Sequence, residues 1–313
     1  MEPETKHSGF VALVGKPNVG KSTLVNQLLG EKVAIVSPKP QTTRTRIHAI
    51  INAPQGQMVL VDTPGLASER SALTRWMRQV TGRAVSSADL GLAVVEVRPQ
   101  HPAQLDAADQ EVLEQACRNH AQVVVAINKV DAIKQKHLLL PWIETYADSG
   151  RVATIVPISA KTGDGLERLL QELWQRLPVG PPLFPPDLHT DQAERFLCAE
   201  LVREQLLLQT RHEVPHSAVV RIDLFEDERD ESRASGGLCR LEGRIYVERD
   251  SQKAIVVGRG GERIKRISAS ARQQMETLLG AKVYLRLSVH VDKNWTHHES
   301  RLREHGLSEE EAG

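Results

Sequence analysis

A glycine-rich stretch near the N-terminus has the composition and spacing of a phosphate-binding loop. Residues 15–22 are Gly-Lys-Pro-Asn-Val-Gly-Lys-Ser, which matches the pattern GxxxxGK[ST]. Glycines allow such a loop to wrap a triphosphate, and backbone N–H groups bind the anionic oxygens. Lys21 would neutralise the β- and γ-phosphates, and the Ser22 hydroxyl would bind Mg²⁺. The motif predicts nucleotide contacts from Gly15, Lys16, Pro17, Asn18, Val19, Gly20, Lys21, Ser22 and Thr23.

A second set of residues has the types needed to hold the metal and to sense the third phosphate. Asp62, Thr63, Pro64 and Gly65 end an apolar run. An acid there would hold Mg²⁺, and the glycine N–H would meet the γ-phosphate. Thr43 would complete the Mg²⁺ shell when GTP is bound and release it afterwards. Each string alone is also compatible with a surface turn. Their order after the loop predicts Ser22, Thr43 and Asp62 as Mg²⁺ ligands, and Lys21, Thr43 and Gly65 as catalytic groups.

Two later motifs indicate which base is bound. Asn128-Lys129-Val130-Asp131 follows the apolar run Val123–Ile127. The Asp131 carboxylate would accept hydrogen bonds from the ring N–H and exocyclic amine of guanine. Adenine leaves that carboxylate unpaired, which is a discrimination of about 10⁴–10⁵. Asn128 would bind N7 and tie loops together, and Lys129 would lie along the base. A backbone N–H of Ser159, Ala160 or Lys161 would donate to guanine O6. The set favours GTP over ATP.

The elements that must position these residues alternate between strand-like and helix-like patterns. Apolar runs are predicted as strands at Phe10–Val14, Ile47–Ile51, Met58–Val61, Leu90–Val97, Val123–Ile127 and Val152–Ile158. The second and third flank a hairpin turn at 54–56, and helix-length polar segments separate most of the others. This alternation predicts a doubly wound α/β domain with a mostly parallel sheet. Ligands bind such sheets at the carboxyl ends of the strands, where all the motifs lie.

A proline-rich segment, 178–190, predicts a semi-rigid linker to a second and smaller α+β domain. The pattern after it is α–β–β–α–α–β. Asp191 and Glu194 are predicted to form a capping box, and Val220, Ile222 and Leu224 to share one face of a strand. We therefore expect domains at 8–177 and 191–296, followed by a charged and frayed tail at 297–313.

The loop Gly258-Arg259-Gly260-Gly261 has the composition of a nucleic-acid contact. A Gly-x-x-Gly loop lets the backbone approach a sugar–phosphate chain closely. Alone it is more often a plain helix–helix turn, but basic residues surround this one. The predicted RNA contacts are Lys253, Gly258, Arg259, Gly260, Gly261, Lys265 and Arg266. Ile255, Ile264 and Ile267 would line an apolar groove beside them.

The bulk composition excludes several classes of protein. The 313 residues carry 40 basic and 40 acidic side chains, so a nucleic-acid partner would be bound by local charge and not by net charge. Three scattered cysteines argue against a disulfide framework or a zinc site and fit a reducing cytoplasm. No apolar run reaches the roughly 18 residues of a membrane span, and Met1–Gly9 does not resemble a secretory signal.

The ordered motifs resemble those of Ras-related GTPases, in particular the TrmE–Era-like group. The phosphate loop, the segment Pro40–Arg44 and second-domain segments such as Tyr246–Arg249 carry the likeness. The second domain resembles a type II KH domain. The resemblance implies a switch that hydrolyses GTP to GDP, binds the 3′ end of small-subunit ribosomal RNA and assists small ribosomal subunit assembly. It also implies a monomer in the cytoplasm with peripheral association at the inner membrane.

The sequence departs from the Ras pattern at the residue that orients the attacking water. Ras-type enzymes use glutamine there, whereas this chain has Leu66. The backbone, another switch residue, a monovalent cation or a partner must then place the water, so we expect slow intrinsic hydrolysis. Asn18 resembles an asparagine that helps to bind K⁺ in some relatives, and a loop-stabilising role is equally compatible. The rival interpretations are a metabolic P-loop enzyme such as a kinase and an RNA chaperone with a vestigial GTPase.

Overall fold

The computed structural model describes residues 6–66, 71–98, 104–118, 123–150, 152–210, 214–230 and 237–307. The chain divides into two compact units. The first takes most of the chain up to Asp191. The second takes the chain from Gln192 onward together with the segment Ile35–Thr42.

The first unit is built on a six-stranded sheet, which confirms the predicted doubly wound α/β fold. The strand order is β2-β3-β1-β4-β5-β6, and only β2 is antiparallel to its neighbour. The strands are β1 His7–Val14, β2 Ile47–Ala53, β3 Gly56–Asp62, β4 Leu90–Glu96, β5 Val123–Asn128 and β6 Val152–Pro157. The helices are α1 Lys21–Leu29, α2 Ala72–Ser87, α3 Ala107–Ala116, α4 Leu140–Ala147 and α5 Leu166–Trp174.

The central strands owe their continuous apolar sequences to burial on both faces. Every residue of β3 and of β5 is buried, as expected for a sheet covered by helices on both sides. The hairpin between β2 and β3 turns at 54–55, and Gly56 follows with φ 140°. A Cβ at Gly56 would lie 1.8 Å from the His7 carbonyl oxygen. Only glycine therefore allows β3 to start beside β1.

The proline-rich segment is docked along the first sheet. The Ser8 N–H donates to the Pro178 carbonyl at 2.9 Å, and the Ile50 N–H donates to the His189 carbonyl at 2.9 Å. The Gln57 side-chain oxygen accepts from the N–H groups of Leu183 and Phe184 at 2.7 and 2.8 Å. The segment predicted as a linker therefore belongs to the first unit.

The predicted capping box at Asp191 is wrong. Helix α6 spans Glu194–Gln209, its N-cap is Ala193, and no side chain caps it. The Asp191 carboxylate instead lies 2.6 Å from His48 Nδ1. The imidazole comes from a distant strand, so this contact is not visible in the local sequence.

The second unit has a three-stranded sheet and the predicted order α–β–β–α–α–β, with one short extra helix. Strand β7 is antiparallel to β8, and β8 is parallel to β9. The elements are α6, α7 Val214–Ser217, β7 Val219–Arg229, β8 Gly237–Val247, α8 Asp250–Val257, α9 Glu262–Leu279 and β9 Lys282–Val291. Leu241 and Ile245 of β8 pack in one core with Ile267 and Met275 of α9.

Two side chains of this unit face differently from the predictions. The β7–β8 register shifts between Ile222 and Leu224, so Leu224 is 38% exposed while Phe225 packs on the core. A β-bulge reverses the alternation of side chains beyond it. Ile267 is fully buried in the core and does not line a groove.

The tail is more ordered than expected. Helix α10 spans Glu299–Glu304, and Leu302 and Leu307 are buried. Trp295 is completely buried, and its indole N–H donates to the Ser217 carbonyl at 2.8 Å. The prediction of a frayed tail is wrong as far as Leu307; the residues after it lie outside the described ranges.

Cys117, Cys198 and Cys239 are all buried. Among the described residues, no helix combines the length and apolarity of a membrane span.

Candidate nucleotide and nucleic-acid sites

The phosphate loop lies between β1 and α1, the context that its motif requires. Gly20 caps α1 with φ 102°, and a Cβ there would lie 2.4 Å from the Asn128 amide nitrogen. The buried Lys21 ammonium donates to the carbonyl oxygens of Gly15 at 3.0 Å and Lys16 at 3.1 Å. Burial lowers the pKa of Lys21 to about 8, although the charge of Asp62 opposes this shift. The oxygens of a bound phosphate would supply negative charge next to the buried Lys21 ammonium.

The three predicted Mg²⁺ ligands come together from three separate segments. The Ser22 hydroxyl donates to Asp62 Oδ2 at 2.7 Å, and the Thr43 hydroxyl donates to the same oxygen at 3.2 Å. The two hydroxyls are 2.9 Å apart. Burial raises the pKa of Asp62, and the charge of Lys21 and the hydroxyl hydrogen bonds offset part of the shift.

These oxygens fit a hard divalent cation. Asp62 is completely buried, and its Oδ1 has no hydrogen-bond partner among the described residues. A buried carboxylate oxygen without a partner is costly unless a ligand satisfies it. Carboxylate and hydroxyl oxygens are donors that suit Mg²⁺. The donor set therefore matches the predicted magnesium site.

The segment after Asp62 lies against the phosphate loop. The Thr63 hydroxyl donates to the Leu13 carbonyl at 2.5 Å, and the Pro64 carbonyl accepts from the Thr81 hydroxyl at 3.1 Å. A Cβ at Gly65 would lie 2.8 Å from Pro17 Cα, so this contact admits only glycine. The Leu66 side chain packs against the hydrophobic core and presents no polar group to a water molecule.

The predicted base-reading loop is held to the phosphate loop by Asn128. Its amide nitrogen donates to the Val19 carbonyl at 2.7 Å, and its amide oxygen accepts from the Ala160 N–H at 2.9 Å. The predicted tying role of Asn128 is therefore confirmed. The Ala160 N–H, one of the predicted donors to guanine O6, is bonded to Asn128 here.

Contacts from Ser159, Lys129 and Glu96 support the base reader, and of these three residues the motifs did not single out Glu96. The Ser159 hydroxyl donates to Asp131 Oδ1 at 2.7 Å, which orients that carboxylate. Lys129 Nζ donates to the Asn18 carbonyl at 2.8 Å and pairs with Glu96. Glu96 is the last residue of β4, and the only sequence signal for it is an acid at the end of an apolar run.

The Lys16 side chain points away from the loop interior. Its Nζ lies 2.7 Å from Asp106 and 2.8 Å from Asp109, at the start of α3. Neither carboxylate was predicted, because nothing in the local pattern links them to the phosphate loop.

The glycine loop of the second unit joins α8 to α9. Gly258, Gly260 and Gly261 have φ values of 72°, 57° and 80°, which L side chains rarely adopt. A Cβ at Gly258 would also lie 2.8 Å from Arg263 Cβ. Gly261 caps α9, so the loop presents the start of that helix to an anion.

The predicted RNA contacts surround this loop on the surface. Lys253, Arg259, Lys265 and Arg266 are exposed, and within the described ranges none has an ion-pair partner. Arg263, which was not predicted, donates to the Ile255 carbonyl and ties the two helices together. Ile255 is 41% exposed beside the loop, and Ile264 is half-buried. The loop therefore combines unpaired cations, accessible backbone and an apolar edge.

A phosphate-loop domain with a guanine-reading motif, followed by a glycine-loop α+β unit, defines a GTPase with an attached RNA-binding domain. Models of protein families agree: residues 10–129 match "50S ribosome-binding GTPase", and residues 213–296 match "KH domain".

Curated relatives narrow the class further. The chain is 44% identical over 301 residues to GTPase Era of Geobacter metallireducens, covering 96% of this chain and 98% of the relative. It is 43% identical over 303 residues to GTPase Era of Syntrophus aciditrophicus, covering 96% and 95%. The chain belongs to the Era family, and it is a GTPase.

Solved structures show the same relationship. Era in complex with MgGDPNP and nucleotides 1506–1542 of 16S ribosomal RNA superposes with a TM-score of 0.89 at 37% identity, covering 97% of this chain and 99% of that chain. A variant of Aquifex aeolicus Era bound to GDP and AlF₄⁻ gives a TM-score of 0.88 at 37% identity, covering 96% and 99%.

Proposed function

We propose that this chain is a GTP-driven switch that binds the 3′ end of small-subunit ribosomal RNA and assists assembly of the small ribosomal subunit. Its similarity over nearly its whole length to an Era bound to 16S nucleotides 1506–1542 supports the RNA partner. The proposed parts are a GTPase domain at 8–177, the segment 178–190, a KH domain at 191–296 and the charged segment 297–313. The exposed cations around Gly258–Gly261 carry the RNA half of the proposal.

The nucleotide would be held by the loops already described. Asp131 would read the base, Asn128 and Lys129 would hold the loops around it, and Ser159, Ala160 and Lys161 would border it. Lys21 would bind the β- and γ-phosphates, and the Gly65 N–H would meet the γ-phosphate. Ser22, Thr43 and Asp62 would hold Mg²⁺, which would neutralise phosphate charge when bound. The remaining proposed contacts are Gly15, Lys16, Pro17, Asn18, Val19, Gly20, Thr23, Thr63 and Pro64.

Hydrolysis by the isolated chain would be slow, because Leu66 packs on the core and cannot orient water. A K⁺ ion near Asn18 would supply positive charge to the nucleotide site. The proposed setting is a cytoplasmic monomer that exchanges GTP and GDP, binds the small ribosomal subunit and associates peripherally with the inner membrane.

The test is filter binding of a labelled RNA from the 3′ end of small-subunit ribosomal RNA. Wild type would be measured with GDP and with a non-hydrolysable GTP analogue. A loop variant carries Arg259→Asp and Gly260→Asp. A control of equal charge change carries Arg240→Asp and Ser288→Asp, both exposed on the sheet face of the same unit.

Loss of binding in the loop variant alone, with a salt slope reduced by about one for each lost phosphate contact, would support the proposal. Equal loss in both variants would show that general charge, not the loop, attracts RNA. Tight wild-type binding that is insensitive to nucleotide would leave two independent modules and would refute the switch.

A further inference from the structure

The end of β4 and the residues just after it carry charged side chains that contact the base-reading loop and the start of α3. Glu96 pairs with Lys129 of the base-reading loop. Two residues later, Arg98 pairs with Asp106 and Asp109 at the start of α3. Val97 between them is buried in the core, which anchors both charged side chains to the sheet.

The cluster around Arg98 also holds the phosphate loop. Asp106 is bonded to Lys16 Nζ through Oδ1 at 2.7 Å and to Arg98 Nη1 through Oδ2 at 2.8 Å. Asp109 is bonded to the same two cations at 2.8 and 2.5 Å. Two cations therefore face two carboxylates, and each carboxylate bridges both cations.

Asp109 is the most deeply buried member of this cluster. The Asp109 side chain is only 2% exposed, so its carboxylate oxygens depend on Lys16 and Arg98 for hydrogen bonds that water cannot supply. Burial alone would raise the pKa of Asp106, but hydrogen bonds from Lys16 and Arg98 outweigh burial and hold that pKa well below its usual range. Asp106 also caps α3 by accepting from the Asp109 N–H at 2.8 Å.

The backbone of Lys16 transmits this restraint to the phosphate site. Its carbonyl oxygen accepts from Lys21 Nζ at 3.1 Å, so the residue that is held by α3 also holds the proposed phosphate-binding lysine. Pro17 follows directly and lies against Gly65. Residues 15–17 thus form an arm of the loop, with α3 on its outer side and the two proposed γ-phosphate contacts on its inner side.

We propose that Asp106 and Asp109 are positioning residues for the triphosphate. They act through Lys16 to hold the 15–17 arm where Lys21 and Gly65 can both meet the γ-phosphate. The inference rests on the nucleotide contacts proposed above. The affinity for GTP would depend on the position of the arm more than the affinity for GDP does, because only GTP has the γ-phosphate that meets Gly65. A displacement of a fraction of an ångström in such an arm is expected to cost about tenfold in affinity for a GTP analogue, and about twofold or less for GDP.

Substitutions in the cluster distinguish the loss of its charges from a general loss of structure. Lys16→Met and Asp109→Asn break the cluster, whereas Lys16→Arg keeps its charge and its reach. Asp106→Asn removes a charge but keeps a good N-cap, so it tests the idea in a chain whose α3 is still capped. Glu96→Gln is the comparator, because it loosens Lys129 at the base and should weaken both nucleotides equally.

The measurement is titration of fluorescent GDP and of a fluorescent non-hydrolysable GTP analogue, with thermal unfolding of each nucleotide-free variant. Selective loss of the GTP analogue in Lys16→Met, Asp109→Asn and Asp106→Asn, with Lys16→Arg near wild type, would support the inference. Equal loss of both nucleotides in these variants, or no loss, would overturn it. Failure of the wild type to bind either nucleotide would refute the assigned nucleotide site itself.

Discussion

The nucleotide site and the RNA loop are both built on glycines and cations, but they are held in opposite ways. In the nucleotide site Lys21, Asp62 and Asn128 are buried, and each is hydrogen-bonded to another protein group. In the RNA loop the geometry comes from three local positive φ values, and Arg259 stands exposed. A ligand at the first site must compete with internal bonds such as those of Lys21, whereas at the second site it adds bonds to exposed groups.

This difference predicts that substitutions in the nucleotide site change ligand affinity strongly and selectively, whereas substitutions in the RNA loop change it in small steps. A buried group that loses its partner pays its full desolvation cost, whereas an exposed cation loses only a screened contact. Specificity is therefore expected to reside in the nucleotide site, and salt-dependent affinity in the loop.

The largest effect is expected from Lys21→Met. The ammonium would make charge-assisted bonds to two phosphates, so its loss should weaken GTP and GDP binding by about 10²–10³-fold. Fluorescent-nucleotide titration measures this, with the exposed Lys134→Met as the matched control. A Lys21→Met chain with near-normal affinity would show that the loop backbone alone binds the phosphates.

Asp131→Asn should change the base that is bound. An amide cannot accept from both guanine donors, so GTP affinity should fall by about 10²-fold or more. The new amide N–H can donate to the additional carbonyl of xanthine, so XTP should bind better than GTP. Competition between the two nucleotides measures the exchange. Loss of both without preference would mean that Asp131 supports the loop and does not read the base.

Gly260 allows the RNA loop to be tested without changing its charge. Its φ is 57°, and a Cβ there would meet open space, so only backbone strain opposes substitution. Valine should cost about 1–2 kcal/mol, or roughly tenfold in RNA affinity. Asparagine, which tolerates this conformation, should cost less. Equal RNA affinity for the two variants in filter binding would contradict a fixed loop conformation, and nucleotide binding should stay unchanged in both.

The smallest predicted effect is a pH dependence of stability that arises from Lys21. Its pKa falls from 10.5 to about 8 in the folded chain. Below pH 8 Lys21 is protonated in both the folded and the unfolded chain, so the free-energy cost of burying its ammonium does not change with pH. Between about 8 and 10.5 the unfolded chain binds the extra proton, so the free energy of unfolding rises with pH.

From pH 7.5 to 9.5 the nucleotide-free wild type should therefore gain about 1–2 kcal/mol relative to Lys21→Met. Urea unfolding of both chains at the two pH values measures this difference. If the difference in free energy of unfolding between the two chains did not change with pH, the Lys21 pKa would be unchanged on folding. The nucleotide site would then be more hydrated than its burial indicates.

Most of the fold and the nucleotide motifs could be predicted because they depend on short-range order. Continuous apolar runs specify buried strands, and the phosphate loop is a single stretch whose backbone requirements appear as Gly15 and Gly20. The failures share one cause, which is competition from residues far away in sequence. Asp191 is bonded to His48, a bulge before Leu224 turns that side chain outward, and the tail buries Leu302 and Leu307.

The sequence by itself determined which groups could do chemistry: a loop for phosphates, oxygens for Mg²⁺, a carboxylate for guanine and a basic glycine loop for RNA. Side-chain type and local spacing carry that information, because each motif is satisfied within a few residues. Only the tertiary structure decided what holds those groups in place. Asp106 and Asp109 meet Lys16 about 90 residues away in sequence, because a parallel sheet brings the ends of non-adjacent strands to one edge.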